Sequence, residues 1–207
     1  VYGGRAMSFL HDAIGKLEKA LTDSGCEDGV VALRVNYDAE VCQYPKGVCM
    51  EGHFGGQSGQ FITSEPIRAN TRISFMFGAP LKDQKQRGAA SVIINAISAF
   101  LCLTRKLHPC TPECYAPCLA ELSREVAGKR VYLVGPMPVL ERAFKGQVVD
   151  SPDEADLLLV AGDGMTTDAG VACIDDCRGK KRIIFLGPST AGVSGLINLE
   201  HWCPYGR

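Results

Sequence analysis

No run of lysine or arginine interrupts this sequence. With 22 basic against 23 acidic side chains the net charge is −1, whereas a protein that neutralises many phosphates needs a clustered basic face. Binding to a nucleic-acid backbone or to an anionic membrane surface is therefore not expected. A membrane span is missing as well. The longest apolar stretch, Gly88–Leu103 (GAASVIINAISAFLCL), is shorter than a crossing helix and contains Ser91, Asn95 and Ser98. It reads as a buried helix. The first residues, VYGGRAMSFLHDAIGKLEKAL, lack a secretory hydrophobic core and turn amphipathic after Met7, and Val1–Ala6 is expected to precede the natural start. There is no internal repeat, no low-complexity tract, no P-loop, no G-x-S-x-G and no H-E-x-x-H. These absences leave a globular, cytoplasmic protein whose partner is a small molecule or a metal ion, with oligomerisation open.

Cysteine, by contrast, is abundant. Ten cysteines without an export signal argue against a disulfide framework. They are expected to be reduced, some packing as small hydrophobes and some available to metal.

The patterning predicts an α/β chain in two parts. In the first, residues 1–107, Phe9, Ala13, Leu17 and Leu21 recur at helical spacing, with Gly25 as a stop. Val31, Leu33, Val35 and Tyr37 then alternate with Ala32, Arg34 and Asn36, as in a half-buried strand. EVCQYPKGVCME reads as a hairpin turning at Pro45 and Lys46, which would place Cys42 opposite Cys49. GHFGGQSGQ (Gly52–Gln60) reads as a mobile connector. GQFITSEPI and TRISFMFG are further strands, and Gln84–Thr104 is a long helix. In the second part, residues 108–207, nearly continuous apolar runs at Arg130–Val134, Gln147–Val149, Leu157–Ala161 and Arg182–Leu186 alternate with helical patterns. That combination predicts parallel strands covered on both faces, a doubly wound sheet.

The junction carries LHPCTPECYAPCL, with Cys110, Cys114 and Cys118 four residues apart. A continuous helix would stack them in a stripe. Pro112 and Pro117 oppose that, because Pro117 lacks an amide and pushes Ala116 out of the α region. A helix starting at Pro117 and ending before Gly128 leaves Cys110 and Cys114 in a turn-rich loop and Cys118 in the first helical turn, where the helix N-terminus favours thiolates. Two readings stand: thiols packed at a domain interface, or three thiolates completed by His108 or Cys102 around zinc, iron or nickel. The spacing also resembles, without matching, the C-x3-C-x2-C of radical S-adenosylmethionine enzymes, so an iron–sulfur cluster is a third reading. Cys173 and Cys177 are expected in a helix core; Cys42 and Cys49 either bind metal or cross-link or simply pair across two strands, and Cys203 with His201 forms a ligand pair if the tail folds back, a frayed tail being the other reading.

Open parallel sheets bind ligands beyond the carboxyl ends of their strands, where strand order reverses. The loops there contain Gly135 and Pro136, then Gly162, Asp163, Gly164 and Thr166, then Gly187, Pro188, Ser189 and Thr190. Small residues admit close backbone approach, and amides and hydroxyls at helix starts suit anionic oxygens. Ordinary helix capping explains the same residues equally well. The spacing is not that of a dinucleotide fingerprint.

The ordered segments KRVYLVGPMPVLERAF, EADLLLVAGDGMTTDAGVACIDDC and KKRIIFLGPST resemble the heavy-metal chelation family, in which a Rossmann-like domain follows an enolase-N-terminal-like domain. RGAASVIINAI is similar to that family's Ala-Ala-x-Asn-Ala helix, with Asn95 at the asparagine. The resemblance implies a metal or ligand site in an interdomain cleft formed by these loops and Asn95. Asp163 and Asp168 depart from the threonine- and asparagine-rich loop of that family, no final strand is expected after GPSTAGVSGLINLEHW, and the three-cysteine segment is an addition. The expected role is metal handling or cofactor assembly. The alternatives are a transferase-type enzyme, with Asp163 or Asp168 as general base, and an iron–sulfur redox protein.

Overall fold

The computed structural model describes residues 8–207, so the expected start at Met7 and the residues before it lie outside the described residues. Helix α1 (Phe9–Leu21) forms as its periodicity predicts, with Phe9, Ala13, Leu17 and Leu21 fully buried. At its start the Ser8 amide donates to His11 Nδ1, a His version of the capping box.

Four antiparallel strands follow: β1 (Val30–Asn36), β2 (Val48–Phe54), β3 (Gln57–Thr63) and β4 (Ala69–Arg72), in the order β3-β2-β1-β4. Helix α2 (Gln84–Phe100) packs on one face of this sheet. It starts where predicted, with the Asp83 side chain accepting from the Gln86 amide, and stops four residues earlier than expected. Val31 and Leu33 are buried as the alternation predicts, but Tyr37 lies past the strand end and is exposed. TRISFMFG is a strand only to Arg72 and then winds into a 3-10 turn, Ile73–Met76.

Two local expectations are corrected here. Gly52–Gln60 is no mobile connector. It forms the tight end of the β2–β3 hairpin, closed by Gly55 and Gly56 at φ 55° and 79°, the left-handed pair that a two-residue turn requires. Gly52 and Gly59 are register partners. A Cβ on Gly52 would come within 2.8 Å of Val92 O, and one on Gly59 within 2.7 Å of Asn95 Cβ. These glycines let α2 lie on the sheet. The second correction concerns EVCQYPKGVCME, which is not a hairpin. Cys49 sits in β2 opposite Asn36 and Ile62, while residues 41–47 form no strand. The Pro-Lys turn signal was outweighed by burial, since Tyr44 is 2% exposed against the other half of the molecule.

That half comprises α3 (Tyr115–Glu125), β5 (Val131–Val134), α4 (Pro138–Ala143), β6 (Leu157–Val160), α5 (Asp168–Cys177), β7 (Arg182–Leu186), α6 (Pro188–Ile197) and β8 (His201–Trp202). All neighbours are parallel, in the order β5-β6-β7-β8. The predicted strand at Gln147–Val149 reduces to a single parallel bridge, Val148 with Val131. It still marks the outward excursion from β5 before the chain returns to β6, so strand order reverses between β5 and β6. The existence of β8 corrects the expectation that no final strand follows, and the tail after it folds back: the Arg207 and His108 backbones exchange both hydrogen bonds, at 2.8 and 3.0 Å.

The strands bury both faces. Leu158, Val160 and Phe185 face a core shared with α1, α2, α5 and α6, and Leu157, Leu159, Ile184 and Leu186 face α3 and α4. The first core runs unbroken from Phe9 to Val193, with the Phe9 and Phe185 rings 6.2 Å apart. Residues 8–107 and 108–207 thus carry different sheets but one common core. Cys177 lies in that core and Cys173 packs against it.

Candidate functional site

The carboxyl edge of the parallel sheet is covered by the chain itself. Residues 41–47 run across it as a strap. The Lys46 amide donates to Pro136 O beyond β5 (3.0 Å). A Cβ on Gly162, beyond β6, would meet Pro45 Cβ at 2.9 Å, and one on Gly187, beyond β7, would meet Cys42 Sγ at 2.9 Å. Two further bonds pin the strap to α3, Gln43 Nε2 to Tyr115 O (2.7 Å) and Tyr115 OH to Val41 O (2.6 Å). The glycines do permit a close approach, as their sequence positions imply. What approaches is the protein's own backbone.

The other loop residues singled out from sequence are engaged in the same contact. Gly135 abuts Gly164, whose amide would lie 2.6 Å from a Cβ there. Asp163 is buried, its carboxylate accepting from the Ser64 amide (2.8 Å) and the Thr166 hydroxyl (3.4 Å). Thr166 O accepts from Arg87 Nε (2.5 Å), and Asp168 pairs with the Arg87 guanidinium at 2.6 Å. Ser189 Oγ accepts from the Ile62 amide, and Thr190 Oγ1 donates to Gly187 O (both 3.0 Å). Asn95, fully buried, donates to Gln60 O (2.8 Å), Ser189 O (3.2 Å) and Pro188 O (3.3 Å) and accepts from the Gly192 amide (2.9 Å). These side chains fasten α2 and β3 to the starts of α5 and α6.

Beside the strap lies a small, narrow-mouthed cavity of about 10 Å³, bounded by Cys42, Cys110, Cys118 and Cys203, with Tyr44, Trp202, Gly187 and Pro188 completing much of the wall. That is the space of one water-sized sphere. The thiols come from four separate segments: the strap, the junction loop, α3 and the tail after β8. The proline reading is met only in part: Pro117 lies in the first turn of α3, but Tyr115 and Ala116 are already helical, so Pro117 neither starts the helix nor keeps Ala116 out of it. A 3-10 turn, Pro112–Cys114, leads into α3, which begins two residues before Pro117 and keeps that proline in the first turn, where its missing amide costs nothing. Cys110 and Cys118 reach the cavity, but Cys114 does not line it. His108 faces elsewhere, its Nε2 3.0 Å from Ser58 O, on a separate polar cleft with Glu40, Glu51 and Arg207. Exposed Cys102 is not on the wall either. The sequence offers Cys42 only with Cys49, and Cys203 only with His201; their meeting with Cys110 and Cys118 depends on long-range docking that local spacing does not carry.

Burial pushes the thiols of Cys42, Cys110 and Cys118 up, and the proximity of the other sulfurs adds to it. Cys203 rises from 9.0 to about 11 for the same reasons. Cys118 is treated differently from its neighbours. Tyr44 OH lies 3.0 Å from its sulfur, either atom being able to donate; the contact adds to the upward shift of the phenol and offsets part of the upward push of burial on the thiol. Trp202 Nε1, also on the cavity wall, is buried with no hydrogen-bond partner among the described residues. The net effect on Cys118 is still upward, because burial outweighs its polar neighbours.

The raised thiols set a pH dependence. A neutral thiol is favoured in the folded state, so the contribution is intact below pH 9, where the unfolded thiols are also protonated, and is lost as pH rises toward the folded values. Thermal melts of the reduced, metal-free protein should hold steady up to pH 9 and fall between pH 9 and about 11, the folded value of Cys203. A flat profile over that range would contradict the burial argument.

No family model matches the sequence, and no curated protein matches it. A solved structure, a protein with unknown function from the DUF364 family of Desulfitobacterium hafniense, is 18% identical to this chain. It covers 90% of this chain and 82% of its own, with a TM-score of 0.48. The fold seen here is a Rossmann-like α/β arrangement, and no helix among the described residues is long and apolar enough to cross a membrane.

Proposed function

We propose that the protein binds one thiophilic metal ion at the seam between its two sheets, through the thiolates of Cys42, Cys110, Cys118 and Cys203. The observation that carries this reading is the convergence of four cysteines from four distant segments on one small, narrow-mouthed cavity, with the Tyr44 hydroxyl 3.0 Å from the Cys118 sulfur. Four sulfur donors suit zinc, reduced iron or another soft cation in tetrahedral surroundings. Among the described residues no three His, Cys, Asp or Glu side chains stand at ligating geometry as they are. Uptake would therefore draw the sulfurs together and release their protons, which makes affinity rise with pH.

Cavity size separates the readings. About 10 Å³ admits a single ion, and a multi-iron cluster would have to displace the strap or the tail. A catalytic centre would need room for substrate, whereas this cavity holds about one water-sized sphere and the strand-end loops are covered by residues 41–47. Metal handling by sequestration fits better than transfer chemistry on those loops.

Titration of the anaerobically reduced protein with Co(II) tests it. The expected result is one ion per chain, an intense sulfur-to-metal charge-transfer band, displacement by zinc, and proton release into a weak buffer. No saturable band, with all cysteines titrating freely against a thiol reagent in the presence of metal, would overturn the reading.

A further inference from the structure

A second cavity, of about 390 Å³, opens between α2, the first sheet and the segment following the 3-10 turn. Its deep wall is made of residues that otherwise belong to the core: Leu33 is 1% exposed, Ala90 2%, Ile93 4% and Leu81 4%. A surface recess of this size lies in the range of small-molecule pockets and has their composition, an apolar body with a few polar groups. It exists because small side chains stand where larger ones would fill it, notably Ala79 and Ala90.

Charge defines the ligand class. Among the described residues lining the cavity, Lys82 is the one charged group, and no carboxylate is present. Gln86 stands beside it with Oε1 accepting from the Lys82 amide (2.9 Å), which leaves the Nε2 donors for a ligand. We infer that this cavity binds an amphipathic carboxylate, with an acyl body against Ile67, Ala69, Phe75 and Ala89 over the Leu33–Ala90–Ile93 floor and its carboxylate at Lys82 and Gln86. No thiol lines this cavity, so the inference stands or falls independently of the metal reading.

The test is calorimetric titration of the whole protein with dodecanoate, below its micellar concentration, and with dodecanol. One saturable dodecanoate site is expected. Ala90→Leu, which fills the cavity floor, should abolish it. Ala79→Leu, on the opposite wall and outside any helix, serves as a second filling variant should Ala90→Leu melt early. Lys82→Met should weaken dodecanoate about tenfold, the scale of a lost charge-assisted bond, and leave dodecanol unchanged. Absence of saturable binding, equal affinity for dodecanoate and dodecanol, or full binding by a folded filling variant would each overturn the inference. So would a dodecanoate-insensitive dimer that Phe75→Ser dissociates, since the apolar mouth would then belong to a second copy.

Discussion

Cys42→Ser and Cys203→Ser are each expected to weaken Co(II) and zinc binding more than about 100-fold, beyond the loss typical of an outer-shell partner. The double variant should retain no stoichiometric site. The effect is large because these residues bring two otherwise unconnected segments, the strap and the tail, to the same cavity as Cys110 and Cys118. With either missing, the remaining thiols cannot close a four-sulfur shell. Cys114→Ser is the informative control: it adjoins Cys110 and Cys118 in sequence but lies off the cavity wall, and its affinity should match the parent. Trp202→Phe keeps the packing and removes the buried, unpartnered indole N–H of the cavity wall, so a loss of about tenfold is expected if that donor serves a bound thiolate. Competition against a chromophoric chelator measures all five. Undiminished affinity in Cys42→Ser and Cys203→Ser, with collapse in Cys114→Ser, would return the site to the junction loop alone.

Asn95→Ala should lower unfolding stability by about 3 kcal/mol, read from urea midpoints at unchanged slope, because it strands several buried polar groups at once. The Nδ2 protons satisfy carbonyls on β3 and at the start of α6, while Oδ1 holds the Gly192 amide. Each partner is itself inside the molecule, where water cannot replace the lost bond. Asn95→Asp should be worse, since it points a carboxylate at those carbonyl oxygens and keeps only the Gly192 bond. A cost below 1 kcal/mol for the alanine variant would mean that this clamp between α2, β3 and α6 is dispensable, and that Asn95 is present for a ligand instead.

The residues chosen from the loops show where sequence reading holds and where it fails. Gly162 and Gly187 were chosen because something must approach the backbone there, and something does. Composition gives no sign that the approaching group is Pro45 or Cys42, more than a hundred residues away along the chain. The Gly-rich stretch at Gly52–Gln60 was misread for a related reason. Glycine was taken as a mark of mobility, when Gly52 and Gly59 are cleared space for α2 and only Gly55 and Gly56 serve a turn. The apparent hairpin at 41–49 followed sound turn chemistry, but a weak local preference yielded to the burial of Tyr44 and the docking of Cys42.

Periodicity and proline placement by themselves determined the helices at Phe9–Leu21 and from Gln84, the parallel strands β5, β6 and β7, and the break that keeps Cys110, Cys114 and Cys118 off one helical face. Those are short-range consequences of side-chain spacing and backbone geometry, and they are written within a few residues. Which thiols meet was decided only by the tertiary structure. Cys42 and Cys203 reach Cys110 and Cys118 because a strap from one sheet and a tail after β8 of the other both bury against the same sheet edge, and burial of that kind depends on what the rest of the chain has already covered.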